Sequence, residues 1–496
     1  MHKRVAWLVV PLAGLLAGCG QEKEAGGQPR GSLYVLVGAG IRRAVEPLKA
    51  DFEKTHNCAV RVNYAGAGTL LGQLQTGAQA DLYLPGDMWY VDRAAERGMV
   101  ASRRIVAWFV PVIGVRKGNP KGIKTLEDLT RPALKVGLGR PEACAIGNTA
   151  RTILRDYGLW GKVKADFEAL TVNRLAYQVK IGALDAALIW DAVAKQYPQD
   201  IEEVALEDGM FYAAPLAIAV LKQSKNKALA QEFADFAASD AGAKHFRDNF
   251  YQVSGHKLRV GAGSSFRAPV EELAALFEKE YGCQVLRDYG GSGTVLLQIE
   301  QSREGDVYIC HDPFAYVCED KGIAQRWHTI AYVHPILAVK KGNPKGVKGF
   351  KDLLREDLRL GLPHRTYSTR GRILWMMLRR HGMAEVLEKR KFFESRTHDL
   401  INQLKLGTVD VAVLWDAPTY SMPDLEVIPI EEKYRIEAIT SPTSGRTFSL
   451  KHIKVTLVRL NFAKEPILAA QFARLCLSEK GRAILKKYHF QLPGED

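Results

Sequence analysis

The sequence predicts an α/β protein of two tandem domains, each built from two lobes around a cleft. Three observations carry that prediction. The chain is written twice, strands alternate with helices inside each copy, and an apolar mid-copy segment leads into a Gly-Asn-Pro turn in both copies.

The repeat has an offset of about 225 residues. Val115-Arg116-Lys117-Gly118-Asn119-Pro120-Lys121-Gly122 returns as Val339-Lys340-Lys341-Gly342-Asn343-Pro344-Lys345-Gly346. Phe52-Glu53-Lys54 returns as Phe277-Glu278-Lys279, Asp81-Leu82-Tyr83 as Asp306-Val307-Tyr308, and Trp190-Asp191-Ala192 as Trp415-Asp416-Ala417. A unit this long is a domain rather than a solenoid repeat, which places copy 1 at residues 31–255 and copy 2 at 256–496. Within a copy, Ser32 to Val37 and Lys257 to Val260 read as buried strands. The helix after the second strand carries Val270, Leu273, Ala274, Phe277 and Tyr281 on one face. That rhythm implies a parallel or mixed sheet with helices on both faces. Ile105 to Val115 and Ile330 to Val339 read as crossovers from the first lobe to the second.

The N-terminus sets the compartment. Lys3 and Arg4 precede an apolar run, Val5 to Leu16, too short to span a bilayer, and the run ends in Leu16-Ala17-Gly18-Cys19. Small residues before a cysteine resemble the bacterial lipoprotein signal, with residues 1–19 as signal peptide and Cys19 as the lipidated residue. An ordinary secretory signal is the alternative. Residues 20–30 are polar and Gly-rich, a flexible tether to the membrane. Without Lys3 and Arg4 the formal net charge falls from +14 to +12, which favours anionic partners. Export and the lack of a basic-aromatic stripe argue against nucleic acid. The cysteines fit no structural zinc pattern; Cys310 and Cys318 are either a disulfide pair or buried free thiols.

Four places per copy have a strand ending in small residues and then a helix. In copy 1 they are Gly38-Ala39-Gly40, Gly66-Ala67-Gly68-Thr69, Ile146-Gly147-Asn148-Thr149 and Trp190-Asp191-Ala192. In copy 2 the first, second and fourth recur as Gly263-Ser264-Ser265, Gly291-Ser292-Gly293-Thr294 and Trp415-Asp416-Ala417. The third is read as Tyr367-Ser368-Thr369, in a loop about two residues shorter. Helix N-termini present free N–H donors and partial positive charge, and small residues let the backbone approach an anion.

These loops, the Ala-Asp-Leu-Tyr strand and the Gly-Asn-Pro crossover together resemble the molybdate-binding proteins of ABC importers, once per copy across the chain beyond the tether. The resemblance implies the two-lobed type II periplasmic binding protein fold. It also implies a tetrahedral oxyanion held by two serines, backbone N–H groups and a tyrosine hydroxyl. Carried over, the serine positions are Ser265 and Ser292 in copy 2 but Gly40 and Ala67 in copy 1, and the tyrosine position is Trp190 or Trp415. Copy 2 is therefore expected to be the better site, with Ser264, Ser265, Ser292, Gly293, Thr294, Trp415 and Asp416 as ligand-binding residues. Copy 1, with Ala39, Gly40, Ala67, Gly68, Thr69, Ile146, Gly147, Val172, Trp190 and Asp191, is expected to be weaker by roughly 3–6 kcal/mol.

A cage of donors alone prefers fully ionised dianions: molybdate or tungstate first, sulfate next. Asp191 and Asp416 either cap the next helix or offer an acceptor or metal ligand, which leaves phosphate and ferric iron open. The resemblance further implies permease and ATPase partners, no cofactor beyond the bound anion, and a monomer. A sensor or adaptor role without transport is the other reading of the fold. An enzyme is not expected: Cys144 and Ser292 are possible nucleophiles, but no histidine base recurs. His56 and His311 face different residues, and His364 and His398 have no counterparts. Arg42 and Arg267, matched just after the first loop, are either solvated or add positive field at the cleft mouth.

Overall fold

The computed structural model describes residues 30–365, 368–395, 397–440, 447–449 and 451–495. Residues 1–19, read as a signal peptide ending in Cys19, all of the segment read as a tether but Arg30, and Tyr367 lie outside the described residues. Copy 1 runs β1 (Ser32–Gly38), α1 (Arg42–His56), β2 (Ala59–Ala65), α2 (Ala67–Gln75), β3 (Leu82–Leu84), α3 (Met88–Glu96) and β4 (Val100–Phe109). It continues with β5 (Pro111–Arg116), β6 (Val136–Gly139), α4 (Ala145–Asp156), β7 (Phe167–Ala169), α5 (Val172–Lys180), β8 (Ala186–Trp190), α6 (Asp191–Ala194) and β9 (Ile201–Ala205). It returns through β10 (Ala214–Leu221), α7 (Lys227–Ala238) and α8 (Asp240–Asp248).

Copy 2 repeats the plan with β11 (Lys257–Gly263), α9 (Arg267–Tyr281), β12 (Gln284–Gly290), α10 (Ser292–Ser302), β13 (Val307–His311), α11 (Phe314–Asp320) and β14 (Ala324–Val333). Its second lobe holds β15 (Pro335–Lys340), β16 (Leu360–Pro363), α12 (Thr369–Arg380), α13 (Ala384–Glu388), β17 (Phe393–Ser395), α14 (Thr397–Leu406), β18 (Val411–Trp415), α15 (Asp416–Tyr420) and β19 (Leu425–Pro429). A two-stranded ribbon, β20 (Ala438–Thr440) and β21 (Thr447–Ser449), precedes β22 (Ile453–Leu460), α16 (Pro466–Leu477) and α17 (Glu479–Lys487).

Four five-stranded sheets result, and their orders match in pairs. The first lobes are β2-β1-β3-β10-β4 and β12-β11-β13-β22-β14; the second lobes are β7-β6-β8-β5-β9 and β17-β16-β18-β15-β19. In each sheet a parallel core meets antiparallel returning strands, the topology of a type II periplasmic binding protein, twice. The chain leaves the first lobe at Val110 or His334, inside the two apolar segments read as crossovers. No helix among the described residues is long and apolar enough to cross a membrane.

The recurring residues are explained by this frame. Glu53 and Glu278 each accept from the backbone of the next strand, at Val60 N (2.6 Å) and Val285 N (2.8 Å). Asp81 and Asp306 do the same for Tyr34 N and Arg259 N at 2.8 Å. The Gly-Asn-Pro motif is a turn: Asn119, itself at φ 44°, closes a ring on both backbone groups of Ile123, and Asn343 does so on Val347. Helix α9 buries Val270, Leu273, Ala274 and Phe277 against its sheet.

The first lobe of copy 2 is seated on the crossover of copy 1. Trp108, at the end of β4, stacks on Tyr281 with centroids 5.8 Å apart and shares the core of copy 2. The returning turn Gly209–Tyr212 lies on α16, where Gln471 Nε2 donates to the carbonyls of Met210 (2.9 Å) and Phe211 (3.3 Å). Beside it, buried Arg459 of β22 pairs with Asp208 at 2.7 Å.

Candidate functional site

Each cleft lies where helix starts from both lobes face one another. In copy 1 it closes to a cavity of about 20 Å³, room for a single water, lined among others by Ala39, Gly40, Ala67, Cys144, Val172 and Trp190. The lobes touch directly: Gly68 N donates to Ala143 O at 3.1 Å, and Tyr90 Oη to Pro141 O at 3.3 Å. The small residues are what permit this contact. A Cβ on Gly40 would lie 2.9 Å from Val172 Cγ1, and one on Gly66 2.5 Å from Leu170 O. Tyr251 Oη donates to Gly40 O at 2.5 Å and fixes the first loop, and Tyr83 Oη donates to Ala67 O at 2.9 Å. Trp190 lies flat against Phe109, 4.9 Å between centroids and 3° from parallel.

Ile146 and Gly147 sit behind the cavity wall, both buried, with Gly147 against the end of β6. Burial pushes the Cys144 thiol up to about 11, against the pull of the Gly147, Ile146 and Val172 N–H groups beside it. A thiol held so far above neutral pH is not a thiolate nucleophile. Thr69 and Thr294 are exposed on the first turns of α2 and α10, and Gly293 lies beside Phe314.

The third loop corrects the sequence pairing. Gly139 to Ala145 and Pro363 to Thr369 are loops of equal length, so the loop in copy 2 is not shorter. Gly147 and Gly371 each pack on the end of the preceding strand, which sets the register. Cys144 therefore matches Ser368, Ala145 matches Thr369, and Ile146 matches Arg370. The sequence reading slid because almost nothing in this loop recurs.

With that register the two clefts differ position by position. Ala39 and Gly40 face Ser264 and Ser265; Ala67 faces Ser292; Val172 faces Thr397. Gly86 faces His311, each two residues beyond the partner of the first strand. Copy 1 is thus small and apolar, and copy 2 carries hydroxyls, an imidazole and a guanidinium. His311 stands between the two serines, Nε2 3.3 Å from Ser265 Oγ and Nδ1 3.2 Å from Ser292 Oγ. It stacks on Trp415 at 4.9 Å. Burial, and then the charge of Arg370, push the imidazole down to about 3. Arg370 is 2% exposed; its Nη2 donates to Thr397 Oγ1 at 3.0 Å, while Nε and Nη1 have no partner among the described residues. Sequence reasoning missed Arg370 and dismissed His311; the available signal was a basic residue in a first helical turn, where it opposes the helix dipole.

Asp191 and Asp416 hold the crossover. Asp191 Oδ1 accepts from Val110 N at 3.0 Å and its own N–H donates to Val110 O at 2.9 Å. Asp416 Oδ1 accepts from His334 N at 2.9 Å, and Oδ2 lies 2.9 Å from His334 Nδ1. Arg42 and Arg267 lie over the rings of Tyr64 (4.3 Å) and Tyr289 (4.0 Å). Cys310 and Cys318 are buried free thiols. Among the described residues no group of three or more His, Cys, Asp or Glu converges as a metal site.

Known proteins share this architecture. A family model described as bacterial extracellular solute-binding protein matches residues 33–252 and again 258–491. The molybdate-binding protein ModA of Mycobacterium tuberculosis is 32% identical over 241 residues, covering 47% of this chain and 90% of that protein. A putative ABC transporter substrate-binding lipoprotein of Bacillus subtilis, YvgL, is 25% identical over 50% of this chain and 97% of its own length. The periplasmic molybdate-binding protein of Azotobacter vinelandii aligns at 20% identity and a TM-score of 0.39, over 45% of this chain and all of that one. Matched twice and along nearly its whole described length, the chain belongs to the bacterial extracellular solute-binding protein family.

Proposed function

We propose that the protein is the solute receptor of an ABC importer, anchored through a lipid on Cys19, and that it captures a tetrahedral oxyanion between its lobes for delivery to a permease and its ATPase. The observation that carries this reading is the convergence of helix starts from both lobes on clefts whose conserved-in-both-copies carboxylates, Asp191 and Asp416, are turned into the crossover. Such clefts offer helix-start donors to an anion, and these two carboxylates do not compete with it. Molybdate or tungstate is the first candidate and sulfate the second, in keeping with the relatives named as molybdate-binding. Ser264, Ser265 and Ser292 give copy 2 the side-chain donors; copy 1 offers backbone N–H groups at Ala39, Gly40, Ala67 and Val172. Because copy 1 is shut to the size of one water, its ligand enters only when the lobes part by hinge bending at the crossover.

Calorimetric titration of residues 31–496 with molybdate, tungstate and sulfate tests the reading. Micromolar or tighter binding of at least one tetrahedral oxyanion is expected, and any binding at copy 2 is expected to weaken at least tenfold in the Ser265→Ala/Ser292→Ala double variant. No heat with any oxyanion would sink it. Cys19→Ala is expected to move the protein from the detergent phase to the aqueous phase on Triton X-114 partition.

A further inference from the structure

Among the described residues Arg370 is a cation with no counter-ion. Two of its three guanidinium nitrogens are buried without a partner, its remaining contact is the neutral Thr397 hydroxyl, and its Cζ lies 5.7 Å from the Trp415 ring centroid in the wall of the cleft. Burial alone pulls it down to about 9, with no carboxylate acting on it, so it stays charged at neutral pH. A buried, unpaired charge is costly to keep, and an anion with two oxygens for the open donors removes that cost. Copy 1 has isoleucine, Ile146, at the same point, so the fold does not require the charge.

The first lobe presents a second unusual group. His311 is neutral, for burial and the charge of Arg370 hold it far below the usual imidazole range. A neutral imidazole has one N–H and one lone pair, and here each ring nitrogen faces a serine hydroxyl. The cluster therefore contains a proton acceptor as well as donors. Molybdate, tungstate and sulfate are fully ionised at neutral pH and have no proton for that acceptor, whereas a tetrahedral oxyanion that keeps one O–H does.

We propose that the cleft of copy 2 is specific for inorganic hydrogenphosphate, with Arg370 of the second lobe taking two ionised oxygens and the Ser265–His311–Ser292 cluster of the first lobe reading the remaining O–H. The proposal rests on the oxyanion-receptor reading and narrows it for one of the two clefts. A phosphate monoester, mostly without a proton at neutral pH, shares the Arg370 contact but not the acceptor contact.

The test is calorimetry on residues 31–496 at pH 7.5 with phosphate, glycerol 3-phosphate, sulfate and molybdate, using the unaltered chain, Arg370→Ile and His311→Phe. Phosphate is expected to bind at least 100-fold more tightly than sulfate and to lose at least 100-fold in Arg370→Ile. In His311→Phe, which keeps the stack on Trp415 and removes the acceptor, the preference for phosphate over sulfate is expected to shrink at least tenfold. A thermal melt of each variant shows whether it is folded, and Arg370→Lys reports the same contact if Arg370→Ile is not. Phosphate binding untouched by Arg370→Ile overturns the proposal, as does sulfate or the monoester binding as well as phosphate. Molybdate or tungstate bound without phosphate overturns it while leaving the proposed function standing; no anion bound at all overturns both.

Discussion

Replacing Arg370 by isoleucine should make the ligand-free protein more stable, the reverse of what a large buried substitution usually does. Two buried donors without partners, Nε and Nη1, are relieved, at about 1–3 kcal/mol each. Against this, the charged hydrogen bond to Thr397 is lost, about 1.5–3 kcal/mol. Ile146, fully buried at the same point of copy 1, shows that the helix start accepts the new side chain. The balance is about 2 kcal/mol in favour of isoleucine, or ~4–8 °C in the melting temperature of a domain of this size. Differential scanning calorimetry in phosphate-free buffer reads it directly. A melting temperature that is unchanged or lower would refute the reasoning, for it would mean that the guanidinium is paired in solution and that its charge is structural.

Three further outcomes follow from the geometry. Asp208→Asn leaves Arg459 buried without its counter-charge and should cost ~3 kcal/mol, read as a lower urea midpoint for residues 31–496. The folded pKa of His311 lies below its unfolded value, so its contribution is fully present above about pH 6.5 and is lost as the pH falls toward 3. Stability of the unaltered chain relative to His311→Gln should therefore fall as the pH drops from about 6 to about 4, measured by urea denaturation. Gly68→Ala places a Cβ against the backbone of Glu142 and should prop copy 1 open, seen as faster proteolysis at the cleft and, for an anion bound there, at least tenfold weaker binding.

The frame was legible in the sequence and much of the site was not, for one physical reason. Glu53, Asp81 and Asn119 recur as Glu278, Asp306 and Asn343 because each satisfies backbone groups that any copy of this fold must satisfy. Ser265 and Ser292 were visible because flanking glycines anchor their alignment. Arg370 was hidden because its loop shares almost no residue with copy 1, and only the packing of Gly147 and Gly371 on their strands reveals the register. His311 was set aside for lacking a counterpart, yet a residue that distinguishes two clefts cannot recur in both. The latch between Asp191 and Val110 depends on tertiary geometry that spacing does not report.

The seating of copy 2 on the crossover of copy 1 has a thermodynamic consequence. Trp108 belongs to one side of the copy 1 hinge and residues 208–212 to its return path, and both are held by the same lobe of copy 2 through Tyr281, Gln471 and Arg459. Any hinge bending of copy 1 that moves these anchors relative to each other works partly against the joint between the copies. Whatever coupling such a joint carries between the two clefts is reciprocal: the factor by which an anion in one changes the affinity of the other is the factor by which an anion in the other changes the affinity of the first.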